Sequence, residues 1–220
     1  MPPSDRFQPT PRTTAKRLAK RAAYDKDIVH AILDDAYLAH VGFAADGQPF
    51  VLPMVYGRRR DQLFLHGSAG GRQMRALASG IPICVTVTIN DGLVLARSSF
   101  NHSMNYRCVM VLGKASAVTD PAEKMAALKA ISDHLLPARW EDARKPNPVE
   151  MKQTLVVSLR LEECSAKVRT GPPIDEDEDY ALPVWAGIVP ARTAYDAAIP
   201  DPRLPAGTPQ PPYLRKFFPA

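Results

Sequence analysis

The sequence predicts a mainly β domain, a barrel-like arrangement of antiparallel strands with peripheral helices. Three observations support this fold class. The chain has 220 residues and is 45% hydrophobic, which suits one domain with a sizeable core. Short β-branched and apolar segments alternate with turn signals through most of residues 37–161. Only two or three helical patterns interrupt them, so the segments read as antiparallel strands with helices around them, not as βαβ units.

The first elements after the N-terminus are a helix and a hairpin. Asp25 is a candidate cap for a helix, because the apolar residues after it recur with a 3.6-residue period. These apolar positions are Ile28, Val29, Ile32, Leu33 and Ala36. Two strand-like segments, residues 37–43 and 49–56, flank the turn Asp46-Gly47, and this pattern predicts a β-hairpin.

Residues 63–75 form a strand, a small-residue turn and a helix that could bind an anion. The turn contains His66, Gly67 and Ser68, and the helix that follows contains Arg72 and stops at Gly80. Backbone N–H groups, a hydroxyl and a guanidinium would face one point, which suits a phosphate. The segment matches neither a P-loop nor a dinucleotide fingerprint. An ordinary strand–turn–helix connection that binds no ligand therefore remains the alternative.

The middle of the chain contains further strand patterns. Residues 81–88 are β-branched and predict a buried strand, and Asn90-Asp91-Gly92 predicts a turn into a short strand at 93–96. A long strand is expected over residues 105–118, where Gly113 indicates a bulge or a close approach.

The last predicted elements are a helix and one strand. Pro121 marks the start of the helix, whose apolar positions share one face, and residues 154–161 are the last clear strand. Residues 171–220 contain 11 prolines among 50 residues, so this part can wrap a surface but cannot add a central strand. We therefore divide the chain into a basic arm (1–20), a folded domain (21–192) and a proline-rich tail (193–220).

Composition narrows the functional classes. The formal net charge is +5, and the basic segment 16–21 lacks interleaved aromatic residues or a nucleic-acid motif, so a solvated extension is favoured over a nucleic-acid arm. No signal peptide or transmembrane run is present, which predicts no membrane partner. Cys84, Cys108 and Cys164 are widely spaced and read as buried thiols, consistent with a cytoplasmic protein.

Several polar or aromatic residues outside the 63–75 segment could line a ligand site. Ser98, Ser99 and Asn105 belong to a donor-rich loop that could also be a solvated hairpin loop. Lys167 and Arg169 would share a strand face and need an anion or an acidic partner, which the run starting at Asp175 could supply.

Trp185 and His66 each allow a structural and a functional interpretation. Trp185 is read by default as a packing residue, or as a ring stacked near a flat cofactor. His66 could contact a ligand or could be a solvated turn residue. The five histidines lack metal-ligand spacing, so no metal site is predicted.

Ordered blocks over residues 17–192 resemble the flavin-nucleotide-binding, nitroimidazole-resistance reductase-like branch of the pyridoxamine 5'-phosphate oxidase superfamily. The blocks include Pro53-x-x-Tyr56, Leu65-His-Gly-Ser68 with Arg72, Asp91-Gly-Leu-Val-Leu-Ala-Arg-Ser98, Ala166-Lys-Val-Arg169 and Trp185-Ala-Gly187. The resemblance implies an antiparallel, Greek-key, FMN-binding split β-barrel and a homodimer with FMN at the subunit interface.

The resemblance also implies roles for individual residues. His66 is the expected catalytic group beside the flavin, and Arg72 is expected to bind the phosphate. The flavin ring is expected along residues 52–56. The full set of expected cofactor-binding residues is Pro53, Met54, Val55, Tyr56, Leu65, His66, Gly67, Ser68, Arg72, Gln73, Ser98, Ser99, Asn105, Lys167, Arg169 and Trp185.

The expected function is electron or hydride transfer from reduced flavin to a small acceptor, with nitro-group reduction as one reaction. A non-catalytic flavin or heme carrier or sensor on the same fold is the alternative, and a nucleic-acid-binding role for the basic N-terminus is a third. Arg203-Leu204-Pro205 is similar to the substrate-reading C-terminal motif of the true oxidases, but no strand pattern precedes it. This departure argues against pyridoxamine phosphate as the substrate.

Overall fold

A single antiparallel sheet dominates the computed structural model, which describes residues 5–217, with side chains through Arg215. The strands are β1 (Ala22–Ala23), β2 (Leu38–Ala45), β3 (Gln48–Arg59), β4 (Gln62–Ser68), β5 (Pro82–Leu95), β6 (Ser103–Lys114), β7 (Ser116–Ala117), β8 (Thr154–Arg160), β9 (Glu163–Arg169) and β10 (Gly187–Pro190). Their order is β1-β9-β6-β5-β2-β3-β4-β8-β7, and β10 pairs with β5. The predicted mainly β fold is confirmed.

Five α-helices lie around the sheet in the described part of the chain. They are α1 (Lys26–Asp35), α2 (Arg72–Ala78), α3 (Pro121–Leu135), α4 (Arg139–Asp142) and α5 (Pro148–Gln153). At α3 the Asp120 carboxylate accepts a hydrogen bond from the Glu123 N–H at 2.8 Å, so the helix begins at the predicted proline. Asp25 precedes α1 as predicted, but its carboxylate pairs with Arg6 and caps no backbone N–H.

The sheet curls around one hydrophobic core. Strands from both halves of the order contribute fully buried side chains to it, among them Val41, Val85, Val111, Leu63 and Leu159. A smaller cluster under α3 covers the outer side of β4 and β8 with Ile131, Phe64 and Val156. The curled sheet therefore forms the barrel that the strand patterns predicted, with α3 covering part of its outer surface.

The predicted turn at Asn90-Asp91-Gly92 is wrong. The two predicted strands on either side form one continuous β5, and the pairing with β6 shifts register between Asn90 and Gly92. Gly92 has φ 151°, and a Cβ there would lie 2.7 Å from the Val189 carbonyl oxygen in β10. The turn-like sequence thus encodes a β-bulge, where the strand bends and a neighbouring backbone passes closely.

The prediction that residues 154–161 are the last strand is also wrong. β9 follows β8 directly and pairs with β6, and β10 adds a short strand next to the end of β5. In β9 the inward positions are Cys164, Ala166 and Val168, which are small or β-branched, whereas the polar or charged residues Glu163, Ser165, Lys167 and Arg169 alternate with them. The strand is weakly apolar, and its long antiparallel partner supplies the stability that its own sequence lacks.

In its described part, the basic N-terminal arm lies partly against the barrel. Phe7 is only 5% exposed and belongs to the core. Arg12 pairs with Glu163 at the start of β9, and the Tyr24 hydroxyl donates to the Thr13 carbonyl at 2.9 Å. Phe7, Arg12 and Thr13 therefore contact the folded domain, whereas residues 16–20 are exposed.

The tail lies on the surface, and the three cysteines form no disulfide. After β10 the chain is extended and exposed until a 3₁₀ turn, Pro212–Phe217, where the Tyr213 hydroxyl contacts Asp142 of α4. Cys84, Cys108 and Cys164 are free thiols, the last one buried. Among residues 5–217 no helix has both the length and the apolarity required to span a bilayer.

Candidate functional site

The candidate site lies where β3 changes partners. The first part of β3 pairs with β2 through Val55, and β3 pairs with β4 only from Tyr56 onward. No strand in the described chain pairs with the β4-facing edge of β3 before Tyr56. On that side, the backbone C=O groups along residues 49–54 and the N–H groups of residues other than Pro49 and Pro53 are therefore available to another partner.

A cavity of about 350 Å³ opens beside this unpaired edge. Its lining residues come from β3, from the end of β4 and from the turn into α2. They are Pro53, Met54, Val55, His66, Gly67, Ser68, Gly71, Gln73 and Met74. The structure thus brings together seven of the predicted site residues, and it adds Gly71 and Met74, which the sequence analysis had not assigned to the site.

Glycine and helix geometry shape the wall opposite β3. A Cβ on Gly67 would lie 2.8 Å from Met74 Cγ, so glycine lets α2 sit directly against the end of β4. Across the cavity floor, Gln73 Nε2 donates to the Met54 sulfur at 2.9 Å and ties α2 to β3. Because α2 has only seven residues, its dipole contributes little, and side chains must supply most of the site's positive charge.

Arg72 provides that charge at the first position of α2. Its guanidinium lies 4.7 Å from the centre of the Phe50 ring on β3, a cation–π contact between α2 and β3, and Arg72 itself is not among the residues that line the cavity. Arg72 is exposed, and no carboxylate within the described residues pairs with it. Its donors are therefore free to bind an anionic group that enters beside Ser68.

His66 lies at the exposed rim of the cavity. Its side chain makes no hydrogen bond to another described residue, and partial burial lowers the pKa of His66 below its usual value. The imidazole is accordingly neutral near pH 7, with a lone pair available on one ring nitrogen. It can accept a proton or bind a metal centre that a cofactor brings.

Two residues predicted for the site have side chains in the core instead. Tyr56 is 0% exposed, and its hydroxyl donates to the carbonyl oxygens of Leu33 and of Ala36, the latter at 2.8 Å. Leu65 pairs with Tyr56 and is buried on the same inner face. Strand alternation explains this placement, because residues next to the outward-facing Val55 and His66 must point inward.

Three further predicted residues form a second group on other strands. Asn105 on β6 and Arg169 on β9 are both buried and hydrogen-bonded to one another. Lys167 lies two residues before Arg169 on the same face of β9. Strands β6, β5 and β2 separate β9 from β3, so in one chain this group does not line the cavity at β3.

Asp175, the predicted acidic partner of Lys167 and Arg169, contacts other residues instead. Asp175 accepts hydrogen bonds from the backbone N–H groups of Arg97 and Ser98 and from the Arg97 guanidinium at 3.3 Å. Burial alone would raise the pKa of Asp175, but these hydrogen bonds outweigh it and lower the pKa. Asp175 therefore fastens the chain after β9 to the loop after β5.

Ser98, Ser99 and Trp185 also lie away from the cavity. The Ser98 hydroxyl accepts from the Phe100 N–H at 3.3 Å and caps a short 3₁₀ turn that begins with Ser99. Trp185 is 66% exposed, and its ring covers Gly187, where a Cβ would approach it to 3.0 Å. An exposed ring of this size is available for packing against a ligand or another chain.

Two larger cavities occur elsewhere. One of about 1050 Å³ is lined by the oppositely charged pairs of Lys26 with Asp61 and of Arg59 with Glu123, which satisfy one another. Another, of about 860 Å³, lies between His40 and the tail near Tyr195. Size alone favours these cavities, but the cavity beside β3 is the one lined by the predicted residues His66, Gly67 and Ser68.

Histidine placement bears on metal and cofactor binding. Within residues 5–217, no group of three His, Cys, Asp or Glu side chains is arranged to hold a metal ion. Three histidines are hydrogen-bonded within the fold, His30 to a carboxylate, His134 to a carbonyl oxygen and His102 to a backbone N–H. The side chains of His40 and His66 have no hydrogen bond to another described residue.

Solved structures resemble this chain along nearly its whole length. The structure of the flavocytochrome Anf3 from Azotobacter vinelandii is 44% identical, with 96% of this chain and 98% of that chain covered and a TM-score of 0.90. The FAD and heme binding protein from Mycobacterium smegmatis is 38% identical, with 90% and 97% covered and a TM-score of 0.86.

A third structure is less similar. A protein from Bacteroides thetaiotaomicron, named for a proposed role in 5-nitroimidazole antibiotic resistance, is 26% identical, with 67% of this chain and 86% of that chain covered and a TM-score of 0.56. No curated protein sequence matches the chain.

The family profile agrees with the structural likeness. The profile described as pyridoxamine 5'-phosphate oxidase matches residues 25–168, which include α1, strands β2 to β8 and most of β9. This match covers more than half of the chain, and two solved relatives exceed 30% identity over nine tenths of it or more. The chain belongs to the pyridoxamine 5'-phosphate oxidase family.

Proposed function

We propose that this chain is a flavin- and heme-binding redox protein whose flavin lies along the unpaired edge of β3. The split between β3 and β4 is the observation that carries the proposal, because it leaves backbone groups unpaired beside a cavity that is lined by Ser68 and adjoins the first turn of α2, which begins with Arg72. The two relatives named above as a flavocytochrome and as an FAD and heme binding protein support both cofactors.

The residues present fit the FMN unit, whether free or as half of FAD. The pyrimidine edge of a flavin alternates hydrogen-bond donors and acceptors, so the backbone of residues 52–55 can bind it, with Pro53 contributing a carbonyl oxygen but no N–H. Ser68 and Arg72 lie where a phosphate would need a hydroxyl and a planar cation. Met54 and Val55 supply the apolar wall that a flat ring requires.

The residues also fit a heme, since an imidazole with a free ring nitrogen is its common protein ligand. We assign this role to His66, because it is neutral, free of side-chain hydrogen bonds and adjacent to the proposed flavin wall. The flavin would supply two-electron chemistry and the heme one-electron chemistry; the chain binds and orients both and delivers electrons to a small acceptor.

A homodimer completes the proposal. Exposed apolar side chains lie on β3, β5 and β10, including Val51 at 65% and Leu93 at 50% exposure. Covering such side chains with a second copy would remove them from water and could close the open side of the β3 cavity. We place this dimer in the cytoplasm, where its three free thiols stay reduced.

The absorption spectrum of the purified protein tests the proposal. We expect flavin bands together with a Soret band, and chromatography of the released cofactors identifies FMN or FAD. A colourless protein that takes up neither FMN, FAD nor hemin on incubation would reject both assignments. Flavin bands without heme uptake would reject the heme assignment and leave the flavin one.

Replacing Arg72 with alanine is expected to weaken FMN binding by about 10- to 100-fold, the equivalent of one charge-assisted hydrogen-bonding group at about 1.5–3 kcal/mol. Riboflavin lacks the phosphate, so its affinity should hardly change. Quenching of flavin fluorescence measures both affinities. Arg75→Ala removes an exposed cation one turn along α2 and is the matched control. An equal loss for FMN and riboflavin would contradict the phosphate role.

A further inference from the structure

Three cations without acidic partners gather at the β1–β9 edge of the sheet. Lys167 and Arg169 lie two residues apart on the same face of β9. Arg21 directly precedes β1, whose Ala22 is paired with Lys167. None of the three lies within ion-pair distance of a carboxylate in the described chain, although many other basic residues do. The charge at this edge is therefore uncompensated.

Arg169 makes this arrangement costly. It is only 8% exposed, because the chain after β9 folds over it. Its Nη1 donates to Asn105 Oδ1 and to the Gly171 carbonyl oxygen at 3.1 Å, and its Nη2 donates to the Pro172 carbonyl oxygen at 3.2 Å. Its buried Nε has no partner. All its acceptors are neutral, and a buried cation is normally paired with an anion.

The electrostatics of the neighbourhood agree with a missing anion. Burial lowers the pKa of Arg169, and the like charge of Arg21 lowers it further. The nearest candidate in sequence, Asp175, is already held by Arg97 and Ser98. Within the described chain there is thus no carboxylate to compensate this edge, which leaves a bound ligand or another chain as the source of negative charge.

We propose that Arg21, Lys167 and Arg169 form a second anion site, which binds a carboxylate or phosphate group of a bound cofactor. Arg169 is a positioning residue, since Asn105 and the Gly171-Pro172 backbone fix it, while the half-exposed Arg21 and Lys167 reach the ligand. This site rests on the proposed function for the identity of its ligand, which is either a heme propionate or a flavin phosphate.

The site is separate from the Arg72 site within one chain. β6, β5 and β2 lie between β9 and β3, and their strand spacing of about 4.8 Å places the two edges roughly 19 Å apart along the sheet. On the β9 side, Tyr106 faces Arg169 and Cys108 faces Lys167 in the register of β6. The anion would therefore sit beside a wall of partly buried side chains on β6.

Thermal unfolding with inorganic phosphate and with succinate tests the site without any cofactor. At low salt both anions are expected to raise the Tm of the wild-type protein more than that of Lys167→Gln or Arg21→Gln. Lys114→Gln is the matched control, because Lys114 is an exposed lysine without an ion pair near the other end of β6. These variants avoid Arg169, whose removal could unfold the edge. Equal Tm shifts in all four proteins would overturn the site.

Cofactor titrations then identify the natural anion. Lys167→Gln is expected to lose about three- to tenfold affinity for one acidic cofactor and none for its neutral counterpart. A loss for hemin but not for hemin dimethyl ester assigns a propionate, and a loss for FMN or FAD but not for riboflavin assigns a phosphate. If acidic and neutral cofactors are affected alike, the proposal is overturned. If wild-type protein binds no cofactor, the proposed function fails, and the phosphate experiment still decides the site.

Discussion

Gly57→Ala is expected to lower the free energy of unfolding by about 3 kcal/mol or more, the upper range for inserting a methyl group into a packed interior. A Cβ at Gly57 would lie 2.5 Å from the Ile131 nitrogen, 2.6 Å from the Ile131 Cα and 2.7 Å from the Ala130 carbonyl carbon. All three are backbone atoms of α3, so no side-chain rotation can relieve the overlap.

The cost is large because α3 would have to move as a unit. Its inner face covers the cluster of Phe64 and Val156, and lifting the helix would expose these side chains to water. Urea denaturation followed by circular dichroism measures the change as a lower midpoint.

Gly42→Ala is the matched control on the neighbouring strand. A Cβ at Gly42 would have its nearest neighbour, the Cys84 carbonyl oxygen, at 3.5 Å, an ordinary contact. Alanine is also a better strand residue than glycine, so this variant should change stability by less than about 1 kcal/mol. If Gly57→Ala proved as stable as Gly42→Ala, the close packing of α3 on β3 would be wrong.

The sequence patterns predicted the barrel well where each strand carries its own apolar face. The hairpin of β2 and β3, the strand β4 and the start of α3 at Pro121 all lie where turn residues, alternation and helix period place them. β9 was missed because its inward residues are small and its outward residues are charged. Its place in the sheet depends on pairing with β6, which is distant in sequence.

The candidate site was predictable in composition but not in geometry. His66, Gly67 and Ser68 do lie together with Pro53, since a strand end and a turn adjoin β3. The change of pairing partner along β3 has no sequence signature, because it depends on where the pairing between β3 and β4 stops. Asp175 shows the same limit, as its contact with Arg97 spans 78 residues and no local spacing indicates it.

His66→Ala is expected to abolish the Soret band of the purified protein while the flavin bands persist. Of the two histidines without a side-chain hydrogen bond, only His66 borders the split in β3, and its lowered pKa keeps the imidazole unprotonated near pH 7. Because a protonated imidazole cannot ligate iron, heme uptake should persist as pH falls through the usual histidine pKa and fail only below the lowered one.

His40→Ala and His102→Ala are the controls for this prediction. His40 borders the cavity of about 860 Å³ near the tail, and His102 accepts a hydrogen bond from the Ala96 N–H at 3.0 Å. Both variants should retain the Soret band and its pH dependence. Loss of the band in His40→Ala, with retention in His66→Ala, would move the heme to the larger cavity. It would leave the flavin site at β3 intact, because nothing in that site depends on His40.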